Sequence, residues 1–214
     1  DYKKIADNFA FLTSSTGVHL HADLIAGLPG ETLESFAMGF DAVSALAPHE
    51  IQVGILKRLK GTPIIRHDAE WQMVYQQHPP FQVLRTRTLD YVTLQKMNRF
   101  AKFWDLFANS GNFKATWQLI RAHEASSPRG SNFWAFWDFS GFLARRHPQT
   151  HGIALLNLVE SAWLYLTQSL AIDPDRARAV LTEDYTGQVK RDLPSFLRPL
   201  VAEGRDTGLR RKPA

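Results

Sequence analysis

Apolar and polar residues alternate from Val18 to Ile25, with Val18, Leu20, Ala22 and Leu24 on one side and His19, His21, Asp23 and Ile25 on the other. A period of two predicts a strand with one buried face. The turn that follows, Gly27-Leu-Pro-Gly30, has glycines where a Cβ would penalise the backbone and a proline that stiffens the link. Thr32 suits an N-cap, and Phe36, Phe40 and Val43 then recur at helical spacing. Glu50 to Leu56 reads as a second strand. Strand, helix and strand within about forty residues is the length of one right-handed crossover, so the two strands are predicted to be parallel.

On either side of this unit the pattern turns helical. Residues 2–13 predict a helix with Ile5, Phe9 and Leu12 on one side, ended by Ser14-Ser-Thr-Gly17. Beyond Gly61-Thr-Pro63 a helix is expected near 67–77, stopped by Pro79-Pro80, and Phe81 to Thr86 reads as a short strand or extended connector. From Leu89 the apolar residues Leu94, Met97, Phe100, Ala101, Trp104, Phe107 and Ala108 follow helical spacing, closed by Asn109-Ser-Gly111. Further helices are expected from Asn112 to about His123, from Asn132 to His147 and from His151 to Ile172. Another starts at Asp173-Pro174, with Asp as cap and Pro at the first position, and runs to about Tyr185. One more turn falls in Leu193 to Leu200. The fold class is therefore α+β, mostly α: a βαβ unit followed by a helical bundle.

Composition sharpens this picture in three places. An apolar content of 44% against 21% charged residues is that of a globular chain, and 214 residues leave room for one or two domains. Fourteen Phe, six Trp and five Tyr, concentrated after residue 99, predict a tightly packed helical half. The net charge of +4 owes much to Arg205, Arg210, Arg211 and Lys212, which face only Asp206; such a tail is a poor nucleic-acid footprint. The apolar stretch from His151 to Ile172 invites a membrane reading. Asn157, Glu160, Ser161, Gln168 and Ser169 around its circumference exclude one, and a buried Glu160 would need a donor or a proton. With no cysteine, disulfides and thiolate metal sites are excluded, which is compatible with a cytoplasmic setting.

Two motifs carry a resemblance. Asp23-Leu-Ile-Ala-Gly-Leu-Pro-Gly-Glu-Thr32 resembles the late-barrel strand and turn of radical S-adenosylmethionine enzymes. Pro48-His-Glu-Ile-Gln-Val-Gly-Ile-Leu-Lys-Arg-Leu-Lys-Gly-Thr-Pro63 is similar to the next strand of their cobalamin-binding group, where an uncharacterised helical C-terminal domain (DUF4080-like) follows. The resemblance implies three parts: residues 1–64 as the last strands and helices of a partial (β/α) barrel, 65–200 as the helical C-terminal domain, and 201–214 as a basic flexible tail. It also implies a parent that uses S-adenosylmethionine, a [4Fe–4S] cluster and cobalamin for methyltransferase-type chemistry or radical rearrangement on an unknown substrate. Such a cluster needs three closely spaced thiolates, and this chain has none. It also lacks an Asp-x-His-x-x-Gly cobalamin motif and opens at Asp1 without an initiator methionine. The expectation is a C-terminal piece of a longer enzyme, inactive alone and binding no cofactor by itself. Its partners would be the upstream barrel and cobalamin-binding domain of its own chain, with no nucleic acid and no membrane.

By the same resemblance Ile25, Ala26 and Gly27 lie near the adenine of S-adenosylmethionine, and Ile55 and Leu56 add a further wall. His19, His21 and Lys57 are the candidate substrate contacts. The family's Gly-x-Ile-x-Gly-x-x-Glu form is only partly met, since Asp23 stands at the first glycine and Gly30 where Glu belongs, with Glu31 one place later. Plainer readings stand beside these. Gly27 and Gly30 suit a tight turn alone. Lys57, Arg58 and Lys60 suit either an anion site or solvent. The Phe/Trp cluster at 133–142 lacks interleaved cations and reads as core rather than as a base-stacking platform. His19, His21 and Asp23 share a face as metal ligands would, but a metal needs more ligands than the sequence visibly brings, so none is assigned. A non-catalytic helical protein-interaction module is the alternative function. A phosphate-binding turn at Gly27 to Thr32 would lack a Walker lysine. Two strands without neighbours expose edges, which predicts either a homodimer through them or the N-terminal helix folded over them.

Overall fold

The computed structural model describes residues 1–187 and 191–198. The first helix, α1 (Tyr2–Ser15), is capped by Asp1 and buries none of its residues. Strand β1 (His21–Ala26), helix α2 (Leu33–Ala45) and strand β2 (Glu50–Ile55) then form the predicted crossover. β1 and β2 pair in parallel from His21↔Glu50 to Ala26↔Ile55. The ladder begins three residues later than the alternation does. Ahead of it, the Leu20 carbonyl accepts from the His49 and Glu50 amides and lets the chains converge. Thr32 and Ser35 close a reciprocal capping box at the start of α2, satisfying two orphan amides.

The alternation sorts the strand faces as read from the sequence. Ala26, Ile51 and Ile55 are buried beneath Phe36, Ala37 and Phe40 of α2. His21, Asp23 and Ile25 of β1 lie on the opposite, uncovered face with Gln52 and Gly54 of β2.

The helix expected near 67–77 does not form. A 3-10 turn at Pro63–His67 leads into turns, then into an antiparallel hairpin of β3 (Val74–Tyr75) and β4 (Val83–Arg85). Gln72 sits at φ 48°, in the left-handed region, which breaks any helix there. Pairing Tyr75 with Val83 instead buries both side chains, and the short-strand reading of Phe81 to Thr86 holds.

Five further helices follow among the described residues: α3 (Tyr91–Trp104), α4 (Lys114–Ala125), α5 (Asn132–Arg146), α6 (Leu155–Leu164) and α7 (Pro174–Thr186). α3 and α6 each run on through a wider π turn, at Asp105–Asn109 and Tyr165–Ser169. The helix expected from His151 starts only at Leu155, after Gly152 in a left-handed conformation. Its phase also differs from expectation. Leu158, Val159, Ser161 and Ala162 face inward, while Glu160 is exposed and reaches Arg146 at 3.9 Å. Glu160 needs no buried donor. No helix of the described residues is long and apolar enough to cross a membrane.

Phe100, Phe107, Phe133, Phe136 and Phe139 form a fully buried aromatic core, with edge-to-face contacts such as Phe100–Phe136 at 5.1 Å. Phe40 of α2 joins it, 4.9 Å from Trp104, so the strand unit and the bundle share one core. Two carboxylates stitch distant elements by capping helices that are not their own. Asp184 of α7 accepts from the Ala115 and Thr116 amides of α4, and Asp41 of α2 accepts from the Phe133 amide of α5. The last element among the described residues is a 3-10 turn at Ser195–Leu197 inside the turn expected at Leu193 to Leu200, of which 199–200 lie outside the described residues, as does the basic tail expected at 201–214.

Candidate functional site

The uncovered face of the β1–β2 pair gathers the polar groups of the first half. At its start, His19 Nδ1 lies 2.8 Å from His21 Nε2, and His21 Nδ1 lies 3.3 Å from a Glu50 carboxylate oxygen. His49 completes the group: its ring lies 4.5 Å from that of His19 at a 33° tilt, and its Nδ1 accepts from the Leu20 amide at 3.0 Å. The ligand atoms of His19, His21 and Glu50 all lie within 4.8 Å of one another, a spacing that suits a metal ion.

Four residues farther on, about 13 Å along the strand, Ile25 is 47% exposed at the other end of the same face. There a cleft of about 600 Å³ opens beside the free edge of β2. Ile25, Ile55, Leu56 and Lys57 line it together with Asn98 and Lys102 of α3. The Asn98 and Gln82 side-chain amides bond reciprocally at 3.0 and 3.2 Å and are already satisfied. Lower on the same edge, the Asn109 side chain imitates a neighbouring strand: its Nδ2 donates to the Ile51 carbonyl and its Oδ1 accepts from the Ile51 amide. A side chain from the end of α3 thus blunts this edge. α1 does not lie over the strands in the way expected; its Tyr2 hydroxyl donates to the Ala42 carbonyl of α2.

The turn after β1 is sealed by packing. Gly27 has φ 92°, and a Cβ built there would come within 2.7 Å of the Val83 side chain, so the hairpin rests directly on its backbone. Gly30, at φ 80°, is covered in the same way by the Trp71 ring at 3.1 Å. Glu31 folds back to accept from the Gly27 amide at 2.8 Å. Burial raises the Glu31 carboxyl above its ordinary value, opposed by the amides of Gly27 and Leu28. Thr88 donates to the Glu31 carbonyl, pinning the turn to the segment ahead of α3.

The residues singled out in the sequence therefore fall into three places. Ile25, Ile55, Leu56 and Lys57 meet at the β2 cleft, although the Ile55 and Leu56 side chains are largely buried. Ala26 and Gly27 turn toward the core. His19 and His21 stand at the opposite end of the strands, away from Lys57. Of the neighbouring cations, Arg58 is engaged by Asp68 at 3.2 Å and lies over the Tyr75 ring, whose hydroxyl burial pushes up to about 12. Sequence reasoning missed Glu50 and His49. The predicted strand bounds alone would have set Glu50 beside Val18 or His19; only the observed register pairs it with His21.

A family model described as "Protein of unknown function (DUF4080)" matches residues 69–208, from just ahead of the hairpin through the helical half. No curated protein matches the chain.

Proposed function

The chain belongs to the DUF4080 family, and on that premise we propose that it is the C-terminal part of a cobalamin-dependent radical S-adenosylmethionine enzyme. Domains of this family sit with radical S-adenosylmethionine and cobalamin proteins. The observation that carries the reading is the parallel β1–β2 pair: helices seal its apolar face, its polar face is bare, and it ends in Asp23-Leu-Ile-Ala-Gly-Leu-Pro-Gly-Glu-Thr32. In a (β/α) barrel such a face points inward and the ends of the strands carry the reaction site. Residues 1–64 would then close the barrel and 65–200 would form the helical domain packed on its outside.

The chain itself offers no ligand for a [4Fe–4S] cluster, because it has no thiolate. Reductive cleavage of S-adenosylmethionine therefore belongs to the upstream part of the parent. When bound, the cofactors would supply methyltransferase-type chemistry. This chain's share is to shape the cavity. Ile25 presents an apolar surface to adenosine, Lys57 places a cation at the mouth for a carboxylate of substrate or cofactor, and His21 and Asp23 line the wall. The upstream barrel, or failing that a second copy of the chain, would cover the bare face.

A second reading, a non-catalytic helical interaction module, is favoured by one observation. Val83 and Trp71 fill the space over Gly27 and Gly30, so no ligand can approach the backbone of these two glycines from that side. Calorimetry with S-adenosylmethionine separates the two. The test compares this chain with a form extended upstream to include a cysteine motif and reconstituted with iron and sulfide. Binding, and cleavage to 5′-deoxyadenosine, are expected of the long form alone. A reconstituted long form that neither binds nor cleaves would leave the interaction module standing.

A further inference from the structure

We propose that His19, His21 and Glu50 form a binding site for a divalent transition metal of the zinc class. A tetrahedral ion with nitrogen and oxygen ligands at 2.0–2.1 Å has ligand–ligand edges of about 3.3 Å. With one atom from each residue, all three ligand atoms lie within 4.8 Å of one another; through Nε2, His21 is already 2.8 Å from His19 Nδ1, and through Nδ1 it is 3.3 Å from Glu50, so either nitrogen puts one edge near ligand spacing. Closing the set onto one ion takes side-chain movement of about 1.5 Å or less. Two imidazoles and one carboxylate leave a fourth position for water. This donor set suits zinc, cobalt or nickel, whereas magnesium and calcium take oxygen alone.

The frame around the cluster is rigid. His21 and Glu50 are partners in the parallel ladder, so the backbone holds them side by side. His49, fixed by the Leu20 amide, packs its ring against that of His19 at 4.5 Å and limits its turning. Nothing else claims the carboxylate: among the described residues, Glu50 forms no ion pair with Lys or Arg. The site sits at the beginning of both strands, at the end opposite the Lys57 cleft. An ion here would staple the start of β1 to the start of β2, in a sheet only two strands wide. The inference is independent of the enzymatic reading.

The test uses the whole 214-residue chain, stripped with chelator, with zinc followed by calorimetry and cobalt by its visible absorption. One ion per chain and a rise in the unfolding midpoint on adding zinc are expected. His21→Ala should weaken binding on the order of a hundredfold and abolish the midpoint shift, Glu50→Gln should weaken it less, and His151→Ala should change nothing. All three side chains are at the surface, and far-UV circular dichroism checks that each variant remains folded. Zinc affinity that survives His21→Ala, or that falls equally in His151→Ala, would overturn the proposal, as would no binding at all.

Discussion

Phe100, Phe107, Phe133, Phe136 and Phe139 of the helical half are all 0% exposed, whereas β1 leaves Ile25 47% exposed and α1 leaves Phe11 63% exposed. The helices from α3 to α7 meet one another from several sides, so each apolar stripe finds a partner. The β1–β2 pair meets helices on one side only. A two-stranded sheet cannot cover its own second face, and in this chain that face carries His21, Asp23 and Glu50. Burial and exposure are thus divided between the halves: one packs its rings away, the other leaves a polar strand face open.

The sharpest way to break this contrast is to truncate one large apolar side chain on each side. Phe136→Ala removes contacts to Phe100, Trp104, Phe107, Trp117 and Phe139. It should cost about 3–5 kcal/mol in denaturant unfolding, while Ile25→Ala should stay within about 0.5 kcal/mol. Comparable losses at both positions would mean that the strand face is covered in solution.

Gly27→Ala probes the seam between the halves. It forces a Cβ toward Val83 and strains a left-handed backbone, for a loss of about 2–4 kcal/mol by the same measurement. A stable Gly27→Ala protein would show that the hairpin lifts off the turn.

The smallest effect is a pH dependence of the helical half. Burial holds the His147 imidazole below its ordinary 6.5, Arg146 pushes the same way and Glu160 opposes them. Between the depressed folded value and 6.5 the unfolded chain binds more protons. Stability therefore falls as pH drops through that window and levels off below it. His147→Gln, which keeps a donor for the Ser161 hydroxyl bonded to His147 at 2.8 Å, should flatten that slope in unfolding curves taken on either side of the window.

Much of the architecture was legible in local pattern. A period of two assigned the inward and outward faces of β1, Thr32 and Asp173 marked helix starts that the structure keeps, and the length of the crossover predicted parallel strands. The misses share a cause. Val74 and Tyr75 look helical in their own window, yet Tyr75 is buried by pairing with Val83 across a loop. Glu160 sits in an apolar run, yet the direction that faces solvent depends on which side of α6 meets its neighbours. The candidate site divides in the same way. His19 and His21 could be named from their spacing, but Glu50 joins them only through register.

By itself the sequence determined the residues that alternate, the caps, the helix-forming stretches and the aromatic supply of the core, because each of these depends on a few neighbours along the chain. Only the tertiary structure decided that Val83 would sit on Gly27, that Asp184 and Asp41 would cap helices other than their own, and that a carboxylate would stand beside two imidazoles. Those contacts join residues tens of positions apart, and their geometry is set when the elements pack against one another.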